Sequence, residues 1–332
     1  MNRAAHRPTG SDGYRHEALI YGSDDELLEV AVPFLQAGTE AGQPTVLRLN
    51  PRQEALILDA LDDRNGITTL PRVDPRSPVA ALRSTHALVS ELTAGGVRPL
   101  RMLGEIPHEP WPWWVRYEAA VNVVLGPLPA WGLCPYDTRA TPPDVIADVE
   151  RTHPLYATGD LRGAPNPRFE DPLAFLNRRD ARPDALESSA PHAELTNPTP
   201  VAAGNLAGAL AHTTALDADD TEGLRLAVTA VTANALKHGR PPIRVRVWVD
   251  VGGVVATVTD AGSGPRDPLS GILHDGTSPD ESSSLYHVRD AVSDVAQFTS
   301  RDGFTVRLVQ RPCSPPEGPA RRSAGARNVP QA

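Results

Sequence analysis

The chain has 332 residues, of which 40% are hydrophobic, so it can form two domains of ordinary size with buried cores. Its formal net charge of −9 argues against general affinity for nucleic acid or anionic membrane surfaces. Its two cysteines, Cys134 and Cys313, lack metal-ligand spacing, which argues against a disulfide scaffold or a zinc site. Because no apolar run approaches about 18 residues and the start lacks a signal core, we expect a cytoplasmic protein.

The first half alternates predicted strands and helices, which indicates an α/β fold with a parallel sheet. A strand over 16–21 precedes Ser23, a predicted helix N-cap, and Glu26 completes a capping-box pattern. Further elements in this half are strands at 45–49, 99–103 and 130–133, and helices at 24–38, 78–94, 113–125 and 142–151. We expect a disordered N-terminus over 1–15 and place the first domain at 16–176.

The second half has a different order of elements. Residues 177–200 are rich in polar residues and proline, which predicts a linker. The elements predicted after it are helices at 201–215, 221–237 and 285–295, and strand pairs at 243–249 with 254–259 and 297–300 with 304–309. Asp219 or Asp220 is expected to cap the second of these helices. We place the second domain at 201–311 and expect a disordered tail over 312–332.

Two short motifs in the second half suggest a nucleotide pocket. One runs from Asn234 to Gly239 at a helix end, and the other is Asp-Ala-Gly-Ser-Gly, from Asp260 to Gly264. A helical asparagine can ligate Mg²⁺, which bridges nucleotide phosphates, and a strand-end aspartate can accept a hydrogen bond from the adenine amino group. Gly262 and Gly264 let the backbone pass close beneath the base. Either motif alone is most often an ordinary turn or helix end, but their order favours a pocket.

This arrangement resembles the Bergerat-type (GHKL) ATP fold of gyrase, Hsp90, histidine kinases and anti-sigma-factor serine kinases. The resemblance covers 201–311 and implies an α+β sandwich that binds ATP and Mg²⁺. It assigns Asn234 to the metal and Asp260 to the adenine, and it places Lys237 and His238 near the phosphates. Lys237 and His238 fit equally well an ordinary charged helix C-terminus that the helix dipole favours.

The sequence departs at two places from the anti-sigma-factor serine kinases, which it resembles most. Ala230 lies four residues before Asn234, where those kinases carry a glutamate that can act as a base. Residues 282–284 are serines where those kinases carry a Gly-x-Gly segment that wraps the phosphates, although Ser284 can still donate a hydrogen bond. Because alanine accepts no proton and serine reaches positive φ only at a cost, we expect weak or lost phosphotransfer.

Residues 16–176 resemble the MEDS sensory domain, which implies a RecA-like parallel sheet. The matching stretches are 16–21, 32–38 and 133–138. The sequence contains no Gly-x-x-x-x-Gly-Lys-Ser/Thr phosphate loop, so we do not expect NTP hydrolysis in this half. Because α/β folds bind ligands at the carboxyl ends of strands, we predict a sensory pocket. Its candidate residues are His16, Tyr21, Glu105, Tyr136 and Asp137. The alternative is a core histidine at 16 and a structural turn at 136–137.

Together the two halves resemble the RsbA-type anti-sigma regulators. This resemblance implies a signalling regulator that binds ATP–Mg²⁺ and an alternative sigma factor or an anti-sigma antagonist, without direct nucleic-acid or membrane binding. It also implies a homodimer. One open alternative is an active serine kinase, or a histidine kinase with His212 as acceptor, although His212 lacks the neighbouring acidic residue usual for acceptors. The other is a partner-binding scaffold without nucleotide.

Overall fold

The computed structural model describes residues 13–74, 77–95, 98–265, 269, 271–273 and 282–312, with side chains from 285 onward in the last of these ranges. These residues form one seven-stranded sheet and one five-stranded sheet. No described helix is both long and apolar enough to cross a membrane.

The first sheet is built by the N-terminal half. Its strands are β1 (Arg15–Tyr21), β2 (Thr45–Arg48), β3 (Ile67–Thr69), β4 (Leu100–Gly104), β5 (Ala130–Asp137), β6 (Leu155–Tyr156) and β7 (Ala164–Pro165). The helices around it are α1 (Asp24–Glu40), α2 (Pro51–Asp59), α3 (Pro78–Thr93), α4 (Trp111–Val124), α5 (Pro143–Thr152) and α6 (Pro172–Asp180). The spatial order is β3-β2-β4-β5-β1-β6-β7, and every pair is parallel except β6 with β7. The predicted parallel α/β sheet is therefore confirmed.

The start of α1 shows how closely local sequence determines local structure here. Ser23 caps the helix as predicted, because its hydroxyl accepts from the Glu26 amide at 3.2 Å. The Glu26 carboxylate reaches back to the amide of Gly22, one residue before the cap, at 2.6 Å. By contrast, α2 was not predicted, because its apolar residues form one short run, 55–58, and do not recur over several turns.

The second sheet is antiparallel and belongs to the C-terminal half. Its strands are β8 (Ala193–Thr196), β9 (Arg244–Asp250), β10 (Gly253–Asp260), β11 (Asp294–Ser300) and β12 (Gly303–Gln310), in the order β11-β12-β10-β9-β8. The helices of this half are α7 (Pro200–Ala211), α8 (Ala218–His238) and α9 (Ser282–Ala291). Side chains of these helices and of the sheet form one apolar core, as the predicted sandwich requires.

Two predictions in this half are wrong in detail. The N-cap of α8 is Asp217, whose side chain accepts from the amide of Asp220 at 2.8 Å, so Asp219 and Asp220 lie in the first helical turn. The helix predicted to reach residue 295 ends at Ala291. Val295 lies instead in β11, where it pairs with a residue of β12 and is buried. The helical spacing of apolar residues continues past Ala291 in the sequence, but pairing with β12 gives residues 294–300 a strand conformation.

The stretch predicted to be a linker, residues 177–200, carries structure that sequence analysis missed. It contains the end of α6, a 3-10 helix at Ala185–Ser188, and β8, which pairs with β9. Leu186 from the 3-10 helix and Trp113 from α4 pack against an apolar cluster on the antiparallel sheet, formed by Trp248, Val255 and Val309. The stretch therefore contributes to the second sheet, and the domain limits stay a prediction.

Candidate functional sites

A cavity of ≈370 Å³ lies between α8 and the antiparallel sheet, within the usual size range of small-molecule sites, roughly 300–1,000 Å³. One wall is a single face of α8, because its residues recur at helical spacing: Val231, Asn234, Ala235 and His238. The opposite wall comes from β10, β12 and the turn after β10: Val258, Asp260, Gly262, Ser263, Gly264, Pro265, Phe304 and Val306. The structure thus brings the two sequence motifs to one cavity.

Asp260 organises the backbone around this cavity. Asp260 is only 5% exposed. Its Oδ1 atom accepts hydrogen bonds from the backbone amides of Gly262 at 2.6 Å and Arg240 at 3.1 Å. A Cβ on Gly239 would stand 2.5 Å from Asp260 Cγ, so this contact requires glycine. No hydrogen bond joins Oδ2 to any described residue, which leaves that oxygen to accept one from a ligand.

Two glycines with positive φ lie at the cavity or beside it: Gly264 lines the cavity, and Gly303 packs against the backbone of Asp260. Gly264 has φ +70°, and a Cβ there would stand 2.2 Å from the ring of Phe304. Gly303 has φ +116°, and a Cβ there would stand 1.9 Å from the carbonyl oxygen of Asp260. Sequence analysis predicted a role for Gly264 and none for Gly303.

The other residues predicted for the nucleotide site are placed as follows. Asn234 and His238 line the cavity, whereas Lys237 is exposed and lies outside its lining. The side chain of Ser284 lies outside the described residues. Ala230 is half-buried and packs against the domain core. Among the described lining residues, Asp260 carries the only carboxylate, so none lies one turn before Asn234.

The loop between β10 and α9 borders this cavity and also contacts the N-terminal domain. Arg83 on α3 donates to the carbonyl oxygens of Ile272 at 2.6 Å, Gly271 at 3.1 Å and Tyr286 at 3.2 Å. Its guanidinium lies 3.5 Å from the ring centre of Tyr286 and pairs with Asp290 on α9. One side chain of the first domain therefore holds both the loop and the helix that follows it.

Apolar packing and a second arginine strengthen this contact between domains. Leu269 and Ile272 are buried in the apolar core of the N-terminal domain. Arg116 on α4 pairs with Asp180 on α6 and with Asp294 on β11. Burial disfavours the charged form of Arg116 and so lowers its pKa. The two carboxylates outweigh this effect and raise the pKa above the ordinary value. The guanidinium is therefore charged and paired on both sides.

The five residues predicted for a sensory pocket do not share one site. Glu105 and Asp137 line a cleft of ≈330 Å³ at the carboxyl ends of β4 and β5, where a ligand site was expected. Tyr21 is buried, and its hydroxyl accepts from Gln53, which lines this cleft, at 2.8 Å. Hydrogen bonds from Arg139 lower the pKa of the Asp137 carboxyl. The cleft thus presents paired charges.

His16 and Tyr136 lie instead in a buried cluster around Glu118. The Tyr136 hydroxyl donates to Glu118 Oε1 at 2.7 Å, and His16 Nε2 lies 3.3 Å from Glu118 Oε2. His153 Nε2 lies 3.4 Å from the same oxygen, and Cys134 Sγ lies 3.3 Å from His16 Nε2. Burial lowers the pKa of His153 to about 3 and raises that of the Cys134 thiol.

Sequence analysis missed Glu118, Cys134 and His153 as site residues. They come from α4, from β5 and from the residue after α5, so no local spacing connects them. The available signal was the presence of polar residues inside apolar stretches, such as Glu118 between Tyr117 and Ala119 in α4.

The structure thus joins a parallel sheet with a polar cleft to an antiparallel sandwich whose cavity surrounds an Asp-x-Gly-x-Gly turn. Comparison with family models identifies both parts. Residues 15–154 match the MEDS domain (MEthanogen/methylotroph, DcmR Sensory domain), and residues 195–309 match the histidine kinase-like ATPase domain.

The chain therefore contains a MEDS domain followed by a GHKL-like ATPase domain, which supports a signalling regulator that binds ATP. A comparison with curated proteins finds no match.

Proposed function

We propose that this chain is a regulator of the anti-sigma type, in which bound ATP–Mg²⁺ controls the binding of a sigma factor or an anti-sigma antagonist. Phosphotransfer to that partner is weak or absent. The observation that carries the proposal is a cavity built around Asp260 that lacks a carboxylate at position 230. Homodimerisation, as in the family it resembles, is part of the proposal.

The cavity has the donors that ATP and Mg²⁺ require. Asp260 Oδ1 is occupied by two backbone amides, which orients the carboxylate so that Oδ2 can accept from the adenine amino group. Asn234 lines the cavity wall, and its side-chain amide contains an oxygen of the type that ligates Mg²⁺. Mg²⁺ in nucleotide sites is usually held by one or two protein oxygens together with phosphates and waters, so the residues present fit this ion.

The base that phosphotransfer needs is missing among the described residues. Ala230 accepts no proton, and Glu222 lies three turns from Asn234, is 54% exposed and pairs with Arg225. His238 lines the cavity but lies eight residues beyond position 230, about 12 Å along the helix axis. No described side chain therefore replaces the missing glutamate where it would act.

Calorimetric titration with Mg²⁺–ATP tests the nucleotide site. Asp260→Asn keeps an oxygen for the two backbone amides but loses the charge that strengthens the bond to adenine. A hydrogen bond to a charged group contributes about 1.5–3 kcal/mol, so we expect the Kd to rise about 10- to 150-fold. Asp250→Asn is the matched control, because Asp250 is 48% exposed at the end of β9. Equal affinity of wild type and Asp260→Asn would refute the assignment.

Incubation of the chain with labelled ATP and a purified antagonist domain tests the second part of the proposal. We expect little or no phosphoserine. Stoichiometric phosphoserine within minutes would show an active kinase and would leave the nucleotide site intact.

A further inference from the structure

Four side chains with metal-ligating atoms converge in the interior of the MEDS domain. His16, Glu118, Cys134 and His153 each present one such atom, and all four atoms lie within 4.8 Å of one another. Three of these residues are buried and Cys134 is half-buried. They come from β1, α4, β5 and the C-terminal end of α5, so only the folded domain brings them together.

The hydrogen bonds of the two histidines leave their inner nitrogens as electron-pair donors. His153 Nδ1 lies 2.9 Å from the carbonyl oxygen of Val149, which can only accept, so Nδ1 carries the proton. His16 Nδ1 lies 3.1 Å from Asn122 Oδ1, while the amide nitrogen of Asn122 donates to backbone oxygens. In the neutral rings, both Nε2 atoms then face the cluster as electron-pair donors, as in metal-binding histidines held by an outer hydrogen bond.

Two of the four inner atoms are not satisfied by hydrogen bonds. Glu118 Oε2 and His153 Nε2 are fully buried and have no hydrogen-bond partner among the described residues, although they lie 3.4 Å apart. Two electron-pair donors at this distance repel each other unless a cation lies between them. Ligands of a tetrahedral Zn²⁺ at about 2.0–2.1 Å are separated by roughly 3.3–3.4 Å. The observed separations are 3.3 Å for His16 Nε2 and 3.4 Å for His153 Nε2 from Glu118 Oε2.

We propose that His16, Glu118, Cys134 and His153 bind one divalent transition-metal ion, of which Zn²⁺ fits the donor set best. Imidazole, thiolate and carboxylate are all zinc ligands in proteins. Zn²⁺ with one carboxylate and one thiolate is neutral overall, which removes the cost of burying unpaired charge. Cys134 would bind as thiolate after its proton leaves to solvent.

The site would be closed and linked to the second domain. Four protein ligands fill a tetrahedral shell, which is typical of structural rather than catalytic zinc. The adjoining cavity, which His16 and Cys134 line, measures ≈20 Å³ and has room for about one water molecule. Glu118 lies on α4 two residues after Arg116, which pairs with Asp294 of the antiparallel sheet. The metal would therefore stabilise the helix that contacts the ATPase domain.

Metal titration of the full chain tests this site. The chain is stripped with chelator and titrated with Zn²⁺ against a chromophoric competitor, in the wild type and in Cys134→Ser and His153→Asn. We expect one tight equivalent in the wild type, and an affinity at least about 100-fold weaker in each variant, since even outer partners of metal ligands are worth 10- to 100-fold. His86→Asn is the control, because His86 is a half-buried histidine of α3 outside the cluster.

Cobalt substitution identifies the ligands independently of affinity. Bound Co²⁺ should show a thiolate-to-metal charge-transfer band that Cys134→Ser loses and His86→Asn keeps. Circular dichroism checks that each variant is folded. A folded wild-type chain that takes up no metal would overturn the proposal in favour of a proton shared within the cluster. Tight binding that is unchanged in Cys134→Ser and His153→Asn would overturn it as well.

Discussion

Removal of the Arg83 guanidinium should release the β10–α9 loop from the sensory domain. Arg83→Met keeps the aliphatic stem but deletes the hydrogen bonds to Ile272, Gly271 and Tyr286, together with the ion pair to Asp290. The Arg83 side chain is only 14% exposed, so water does not already compete fully for these contacts.

We expect Arg83→Met to weaken the contact between the loop and the sensory domain by about 2–4 kcal/mol of free energy. Each hydrogen bond from a charged donor is worth about 1.5–3 kcal/mol, and a partly exposed cation–π contact adds about 0.5–1 kcal/mol. The contacts share one guanidinium and are not additive, so their sum overstates the effect. At 1.36 kcal/mol per tenfold change, the loss corresponds to a factor of about 30–900 in the local opening equilibrium.

Amide hydrogen exchange of the full chain measures this opening. The amide of Ile272 is a suitable probe, because it donates to the carbonyl oxygen of Leu269 at 3.0 Å. We expect Arg83→Met to speed the exchange of the Ile272 amide about 30- to 900-fold. The amides of α9 should also exchange faster. Arg52→Met is the control, because Arg52 is 60% exposed and pairs with Asp24 inside the first domain. Unchanged exchange at Ile272 in a folded Arg83→Met chain would refute the reasoning.

Two further predictions concern the ATPase domain. Ala230→Glu restores a carboxylate one turn before Asn234 and should raise phosphotransfer or ATP hydrolysis, measured with labelled ATP; a well-placed base contributes about 10²- to 10⁴-fold. No increase, with ATP binding retained, would show that the missing base is not what limits catalysis. Gly264→Ala should weaken ATP binding in calorimetry and destabilise the domain by about 1–3 kcal/mol in denaturant unfolding, because Gly264 has φ +70°. Gly252→Ala, where a Cβ meets nothing closer than 3.3 Å, should have a much smaller effect.

Elements with strong apolar periods were predictable from sequence, and weakly patterned elements were not. The helix at Pro78–Thr93 was predicted to within one residue, since it presents a clear apolar face. The strand at Ile67–Thr69 was missed, because two of its three residues are exposed. Strand β8 was also missed, since it is only four residues long and lies within a polar, proline-rich stretch. Its pairing with β9 decides its conformation, and no pattern within its own residues records that partner.

The same division holds for the candidate sites. Asn234 and Asp260 were found because each belongs to a short motif whose backbone geometry is local. Lys237 was grouped with them by sequence proximity, but the phase of α8 turns it away from the cavity lining. Arg83 was not identified, because its contacts with the loop lie 188 and 189 positions away in the chain.

The sequence by itself determined the order of the strongly patterned elements, the two domain types and the nucleotide motif, because each depends on residues close together in the chain. Only the tertiary structure decided which polar residues meet. His16 and Cys134 are 118 positions apart, and they come together because β1 pairs with β5 in the parallel sheet. Glu118 reaches them because α4 packs on that sheet. The proposed metal site runs counter to the expectation, based on cysteine spacing alone, that the chain has no zinc site.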